Sequence, residues 1–314
     1  MSHAEQSARL RRREFLVRSA AAVSTLATAR AVRAAEAPTP TGPLPSIPLG
    51  PHRISRLVAG WNPIGGHSHT TLDMAEAMRE YFTTERLVEF LERCFRSGIT
   101  TWQFDYTEKS VAAIRQLRER GVPMQLICLH AERAMDVPLQ QVIADTKPIA
   151  IVHHGGVTDS KFRAGRAQDV RDFVKKVKDR GVLAGVSSHN PDNIRRVADE
   201  GWENDLFMCC FYNVSRSDEE QRKLLGTVTV GEPFLQCDPP AMTQVMRQVK
   251  QPCLGFKILA AGRACWSKRG TEQAFQWAFQ NIKPTDGVIV GMFPRYSDQV
   301  SENAGYVRRF GASL

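Results

Sequence analysis

None of the seven cysteines stands in a Cys-X-X-Cys pair, so the ligand spacing of iron–sulfur and zinc-ribbon domains is missing. No block of one charge sign and no interleaving of aromatic with basic residues occurs, which removes the footprint of a nucleic-acid binder. No short internal repeat is present, and a stacked solenoid is thereby excluded. The apolar run nearest the N-terminus, SAAAVSTLATA, is too short and too mild to span a bilayer, so no stable membrane anchor is expected. Cys94, Cys128, Cys209 and Cys210 lie in apolar runs and read as buried small hydrophobes. Cys237, Cys253 and Cys265 are left over, free to pair in an oxidising compartment, and their spacing does not choose partners.

What remains is an ordinary globular composition, 42% hydrophobic over 314 residues, enough for one large barrel or two modest domains. The first stretch stands apart from it. RRREFLV, the mild apolar run and ARAVRAAEA supply a basic head, an apolar middle and small-residue cleavage sites. Arg12 and Arg13, followed by Phe15 and Leu16, resemble the twin-arginine export signal. The expected organisation is a signal peptide over 1–37, a Pro-rich linker over 38–46 and one folded domain over 47–314, delivered to the periplasm or another extracytoplasmic space. Residues 1–37 hold seven arginines and three glutamates, so the remainder keeps about +5 of the formal +9. That charge is scattered among acidic residues, which suits a small-molecule substrate better than a polyanion.

Past the linker, apolar runs alternate with amphipathic stretches. The runs are SRLVAGWN, TTWQFDY, MQLICLH, PIAIVHH, VLAGVSSH, LFMCCFYN, PCLGFKIL and GVIVGM, and each is followed by a helical pattern. Strand and helix in strict alternation predict an α/β fold, a closed (β/α)8 TIM barrel. Gly98, Gly121, Gly181 and Gly201 fall just after helices, where a left-handed cap favours glycine. Asn190 and Ser297 read as helix N-caps. Residues 62–82 and 214–238 are too long for simple turns and are expected to be lids or substrate walls.

Six of the eight histidines sit at or just beyond the ends of apolar runs. His130, His153, His154 and His189 close theirs, and His67 and His69 follow LVAGWNPIGG. Parallel barrel strands end on one face, where such folds keep their chemistry. With Asp105 after TTWQF, these histidines predict an imidazole-rich pocket.

The order of motifs over roughly residues 45–314 resembles the aldo-keto reductase family. IPLGPHRISRLVAGWNPIGG resembles its opening hairpin and first strand, so the barrel is expected to follow an N-terminal β-hairpin. GITTWQFDYT resembles the strand that ends in the catalytic aspartate, here Asp105, and PIAIVHH the strand carrying the catalytic histidine, here His153. GVSSHN resembles the segment that holds the nicotinamide amide, matched by Ser187 and Ser188. FYNVSR places Asn213 toward the cofactor. VIVGMFPRYSDQVSENAGYV resembles the loop and helix that bind the adenine nucleotide, with Gly291, Arg295, Gln299, Glu302 and Asn303 at the matching positions. Lys257, in GFKILAAGR, resembles a lysine of some branches and could meet a phosphate or a substrate carboxylate. The implied cofactor is NADP(H). A phosphate would rest on Arg295 and the following helix N-terminus, whose free N–H groups favour an anion.

Two members of the family's catalytic tetrad are changed. Ser110 falls where the proton-donating tyrosine belongs, and His130 falls where the lysine belongs. A histidine can supply a proton near neutrality, so His130 or His153 would replace the tyrosine, oriented by Asp105. The leading expectation is an exported oxidoreductase-like enzyme passing hydride between NADP(H) and a small polar carbonyl or sugar-derived substrate. A second reading is a cofactor-free or metal-assisted isomerase, lyase or hydrolase. There the HxH pair His67 and His69, joined from among His130, His153, His154, His189, Asp105 and Glu132, would furnish ligands for a divalent metal. A third is a non-catalytic binding protein on the same barrel.

Overall fold

The computed structural model describes residues 43–312, so the expected signal peptide and most of the linker lie outside the described residues. A two-stranded antiparallel hairpin, β1 (Ser46–Leu49) and β2 (His52–Ser55), comes first. Eight parallel strands follow: β3 (Leu57–Gly60), β4 (Thr101–Asp105), β5 (Gln125–His130), β6 (Ala150–His153), β7 (Leu183–Ser188), β8 (Leu206–Cys210), β9 (Cys253–Phe256) and β10 (Gly287–Gly291). They close in chain order, β10 pairing with β3, into a barrel. This is the predicted (β/α)8 architecture with its hairpin.

Helices α1 (Leu72–Tyr81), α2 (Thr84–Arg96), α3 (Glu108–Glu119) and α4 (Leu139–Thr146) belong to the first half of the chain. Then come α5 (Gly155–Arg163), α6 (Ala167–Lys178), α7 (Pro191–Asp199), α8 (Asp218–Leu225), α9 (Asp238–Gln248), α10 (Lys268–Asn281) and α11 (Gln299–Phe310). The two long segments are therefore partly helical, holding α1 and α8. A further unexpected helix, α5, starts directly after His154. Gly98, Gly121, Gly181 and Gly201 all take positive φ, the conformation that stops a helix without a Cβ clash. Asn190 caps α7 through Asp192 N. The N-cap of α11 is Asp298, one residue after the expected Ser297, and its carboxylate accepts from Ser301 N.

Strand alternation sorts the core into two layers. Val58, Ile127, Val152, Leu206, Leu254 and Ile289 fill the barrel together with Ile47, Leu49 and Ile54 of the hairpin. Trp102, Cys128, Ile151, Val186, Phe207 and Val288 point outward to the helices. Each fully buried side chain of this size contributes roughly 1.5–3 kcal/mol. Gly50 of the hairpin lies against Leu183 at the start of β7, and Ile47 approaches Gly287 at the start of β10. The hairpin thus closes the N-terminal end of the barrel and leaves the C-terminal mouth for chemistry.

Arg56 secures that closed end. Its guanidinium donates to the carbonyls of Asp286, Gly311 and Lys283 at 2.9, 2.6 and 3.0 Å and lies over the Phe279 ring. All seven thiols are free, and Cys253, expected among the pairing candidates, is buried in β9. Among the described residues no helix is long and apolar enough to cross a membrane.

Candidate active site

Side-chain parity decides which strand-end residues reach the mouth. In β4, Trp102 and Phe104 face the helices, so Asp105 faces inward. Its Oδ1 is sealed from solvent and has no hydrogen-bond partner among the described residues. Burial raises its pKa to about 6; the Arg133 charge lowers it by less.

His130 and His153 share the outward parity of Cys128 and Ile151, and both rings pack on Phe173 of α6. His130 has no free nitrogen: Nδ1 accepts from Glu132 N at 3.1 Å and Nε2 donates to the Val137 carbonyl at 2.7 Å. His153 Nδ1 is bonded to Thr158 Oγ1 at 2.7 Å, and burial drops its pKa to about 3. Of the expected proton donors, His153 is turned into the helical layer, and His130, at the edge of the Asp105 cavity, has both nitrogens engaged by backbone.

His154 also reaches the mouth. It shares with Asp105 a cavity of about 250 Å³, lined also by Trp61, His67, His130, Arg133 and Asp136. Its Nδ1 is buried and unpartnered. Burial, reinforced by the Arg133 charge, lowers its pKa to about 4. Ser110, at the position of the missing tyrosine, is spent on local structure: it forms a reciprocal capping box with Thr107 at the start of α3. Tyr106 points away and donates to Asp145 at 2.5 Å. Tyr81 packs edge-on against Phe82 and Phe293.

Two carboxylate–imidazole pairs were not legible in the sequence. His69 donates from Nδ1 to Glu232 at 3.0 Å and accepts from Asn62 Nδ2 at 3.0 Å on its other nitrogen. Lys257 joins that pair at 3.3 Å from Glu232, so its charge goes to a carboxylate. Burial alone would raise the Glu232 pKa, but His69 and Lys257 outweigh it and bring it to about 2. On the β6–β7 side, His189 donates from Nδ1 to Asp159 at 2.7 Å. Both carboxylates come from helices or loops far from their histidines in sequence.

Several of the proposed metal ligands are engaged elsewhere. His69 and His189 are bonded to carboxylates, His130 to backbone, His153 faces outward, and Glu132 pairs with Lys176 at 2.9 Å. His67 lines the cavity of Asp105 and His154, but among the described residues no three such side chains are placed to hold a metal ion.

The expected nucleotide residues divide. Ser187 follows the inward parity of β7, and Gly291 ends β10 exposed. Arg295 is exposed, with its guanidinium over Tyr296 and no carboxylate partner among the described residues. Asn303 is buried in α11. These four have no charged side chain bonded to them among the described residues. The others are engaged: Ser188 donates to Asp159, Gln299 accepts from Phe293 N at 2.7 Å, and Glu302 pairs with Lys268 at 3.1 Å. Asn213 accepts from Ser215 Oγ at 3.0 Å and lines a second cavity beside Arg163 and Asn193. At the α11 N-terminus the carboxylate of Asp298, itself paired with Arg93, already serves the backbone.

No protein-family model matches the chain, and no curated protein matches it. Solved structures do. Gox0644 in its apo form aligns at 12% identity and a TM-score of 0.50, over 87% of this chain and 97% of its own. A mutant of Gox0644 in complex with NADPH aligns at 12% identity and a TM-score of 0.53, over 87% and 90%. The holo form of aldo-keto reductase AKR11C1 from Bacillus halodurans aligns at 13% identity and a TM-score of 0.49, over 84% and 91%. At such identities the likeness shows the fold alone, an eight-stranded parallel barrel.

Proposed function

We propose that the protein is an exported oxidoreductase of the aldo-keto-reductase type, moving hydride between NADP(H) and a small polar carbonyl or sugar-derived substrate. The observation that carries this is the pair Asp105 and His154, two buried groups with unpartnered polar atoms in one cavity at the barrel mouth. A fold neighbour crystallised with NADPH supports the cofactor. Arg295 would hold a phosphate, Ser187 the nicotinamide end, and the exposed backbone at Gly291 would permit close approach. Bound NADP(H) would supply or accept the hydride at carbon.

This chain's own work is proton transfer. Burial pushes the Asp105 pKa up to about 6 and the His154 pKa down to about 4, so between those values both are neutral, one a donor and one an acceptor. The carboxyl of Asp105 gives its proton to the nascent alkoxide. His154 accepts a hydrogen bond from a neighbouring substrate hydroxyl and orients it. The proton-donor role expected of His130 or His153 passes to Asp105, because His130 has both nitrogens bonded to backbone, His153 faces the helices and His154 resists protonation.

A cofactor-free isomerase or lyase is the second reading. It is favoured by the Asp298 carboxylate at the α11 N-terminus, which answers the helix's positive pole before any phosphate can. Titration of the purified protein with NADPH, followed by nucleotide fluorescence, separates the two. Saturable binding weakened about 10- to 100-fold by Arg295→Ala, the loss of one charge-assisted contact to phosphate, supports the oxidoreductase. Absence of NADPH binding removes it and leaves the acid–base pair to act alone.

A further inference from the structure

The Asp159–His189 pair lies across the β6–β7 edge of the mouth and takes no part in the chemistry just described. Asp159 belongs to α5, and its carboxylate is almost fully enclosed, with 3% of the side chain exposed. Four donors converge on it. Ser188 Oγ and Asn193 Nδ2 serve Oδ1, the latter at 2.9 Å; His189 N and Nδ1 serve Oδ2 at 3.1 and 2.7 Å. Burial acts to raise the Asp159 pKa, but these hydrogen bonds prevail and lower it, so the carboxylate stays ionised. An ionised carboxylate only accepts, and His189 must therefore carry its proton on Nδ1.

In the neutral imidazole the other nitrogen is then the lone-pair acceptor. His189 Nε2 has no hydrogen-bond partner among the described residues and is not among the buried unpartnered atoms, so solvent reaches it. The ring stands edge-on to Phe256, whose side chain packs against the barrel interior, at 5.5 Å between centroids. Its Cε1 lies 3.2 Å from where a Cβ on Gly155 would sit, and Ser187 Oγ lies 2.9 Å from that same point. A side chain at Gly155 would collide with Ser187 Oγ and press on the ring. The imidazole is thus held on three sides, by Asp159, Phe256 and the Gly155 backbone, with Nε2 as its one open polar atom.

We propose that His189 is a general base of this mouth, held in its working tautomer by Asp159 as positioning residue, and that it accepts a proton from a hydroxyl or from a carbon acid next to a carbonyl. In that step the substrate O–H or C–H bond breaks, its electron pair stays on the substrate, and an Nε2–H bond forms. The resulting imidazolium faces the Asp159 carboxylate and returns the proton to solvent. The proposal rests on reading this mouth as an acid–base site, but not on the nucleotide.

The test needs no substrate. Nitrogen-15 NMR of histidine-labelled protein at pH 7, assigned with His189→Gln, is expected to show His189 protonated on Nδ1 and bare on Nε2. Diethyl pyrocarbonate, with modification mapped by peptide mass spectrometry, is expected to label His189 at least about ten-fold faster than His130, whose nitrogens are both bonded. Asp159→Ala is expected to move the proton to Nε2 and slow labelling; Asp159→Asn serves if the alanine variant does not fold. An Nε2–H tautomer in the wild type, or labelling no faster than that of His130, overturns the proposal. If NADPH fails to bind while the wild-type tautomer is as expected, the hydride reading falls and the base stands. If NADPH binds and the tautomer is reversed, the base falls alone.

Discussion

His153 and His154 are consecutive, yet their imidazoles lie on opposite sides of the barrel wall. His153 meets Phe173 of α6 edge-on at 4.9 Å and bonds Thr158, whereas His154 lines the mouth cavity with Asp105. One register step separates a structural ring from a candidate catalytic one, because successive strand residues point to opposite faces.

Substitution should separate the two roles. His154→Gln is expected to lower turnover of small carbonyls by about 10- to 100-fold, the worth of one orienting hydrogen bond and the alignment it gives, with little change in melting temperature. His153→Gln should do the reverse, costing about 1–3 kcal/mol through a disrupted buried hydrogen bond while turnover survives. NADPH consumption across a carbonyl panel, paired with thermal melts, measures both. Turnover lost on changing His153 in a protein of unaltered stability would relocate the site.

Asp105 should make stability fall as pH rises. A carboxyl whose folded pKa, about 6, exceeds its ordinary value of 3.8 contributes stability that is fully present below the lower value and lost as pH rises through the upper one. Asp105→Asn removes that titration. The variant is expected to match the wild type near pH 4 and to exceed it by about 1–3 kcal/mol at pH 8, two pKa steps being worth about 3 kcal/mol at most. His154 works in the opposite sense: its stabilising contribution is present above 6.5 and fades as pH falls through about 4. Urea melts of wild type and variant from pH 4 to 8 check the sign, and parallel curves would show that Asp105 is solvated.

Arg56→Ala should be severe although it lies far from the mouth. It strips three main-chain carbonyls of their donor and removes a guanidinium stacked on Phe279. A loss of about 3 kcal/mol or more is expected, each orphaned buried acceptor costing about 1–3 kcal/mol. Arg56→Lys should recover little, because one ammonium cannot reproduce a planar fork. Urea unfolding gives the number, and a loss below about 1 kcal/mol would mean that water replaces the guanidinium.

Export is expected to depend on Arg12 and Arg13. Changing both to lysine should trap the precursor inside the cell, read by fractionation and immunoblot, while the folded domain keeps its activity. Unchanged export would point to another route.

The alternation of apolar runs with amphipathic helices carried the barrel, its strand order and its glycine caps directly, because side-chain period and backbone conformation are local properties. Asp105 was legible as a mouth residue for the same reason: TTWQFD places two large aromatics on one parity and the carboxylate on the other. PIAIVHH offers no such contrast. A parallel barrel strand is apolar on both faces, so nothing local says which of its two terminal histidines faces inward, and His154 had to be found in three dimensions. The Glu232–His69 and Asp159–His189 pairs were hidden by distance, joining residues 163 and 30 positions apart. A carboxylate's partner is set by which elements the closed barrel brings side by side. The sequence alone determined a barrel whose strand ends carry histidines. Only the tertiary structure decided which rings face the mouth, which nitrogens are free, and which carboxylates hold them.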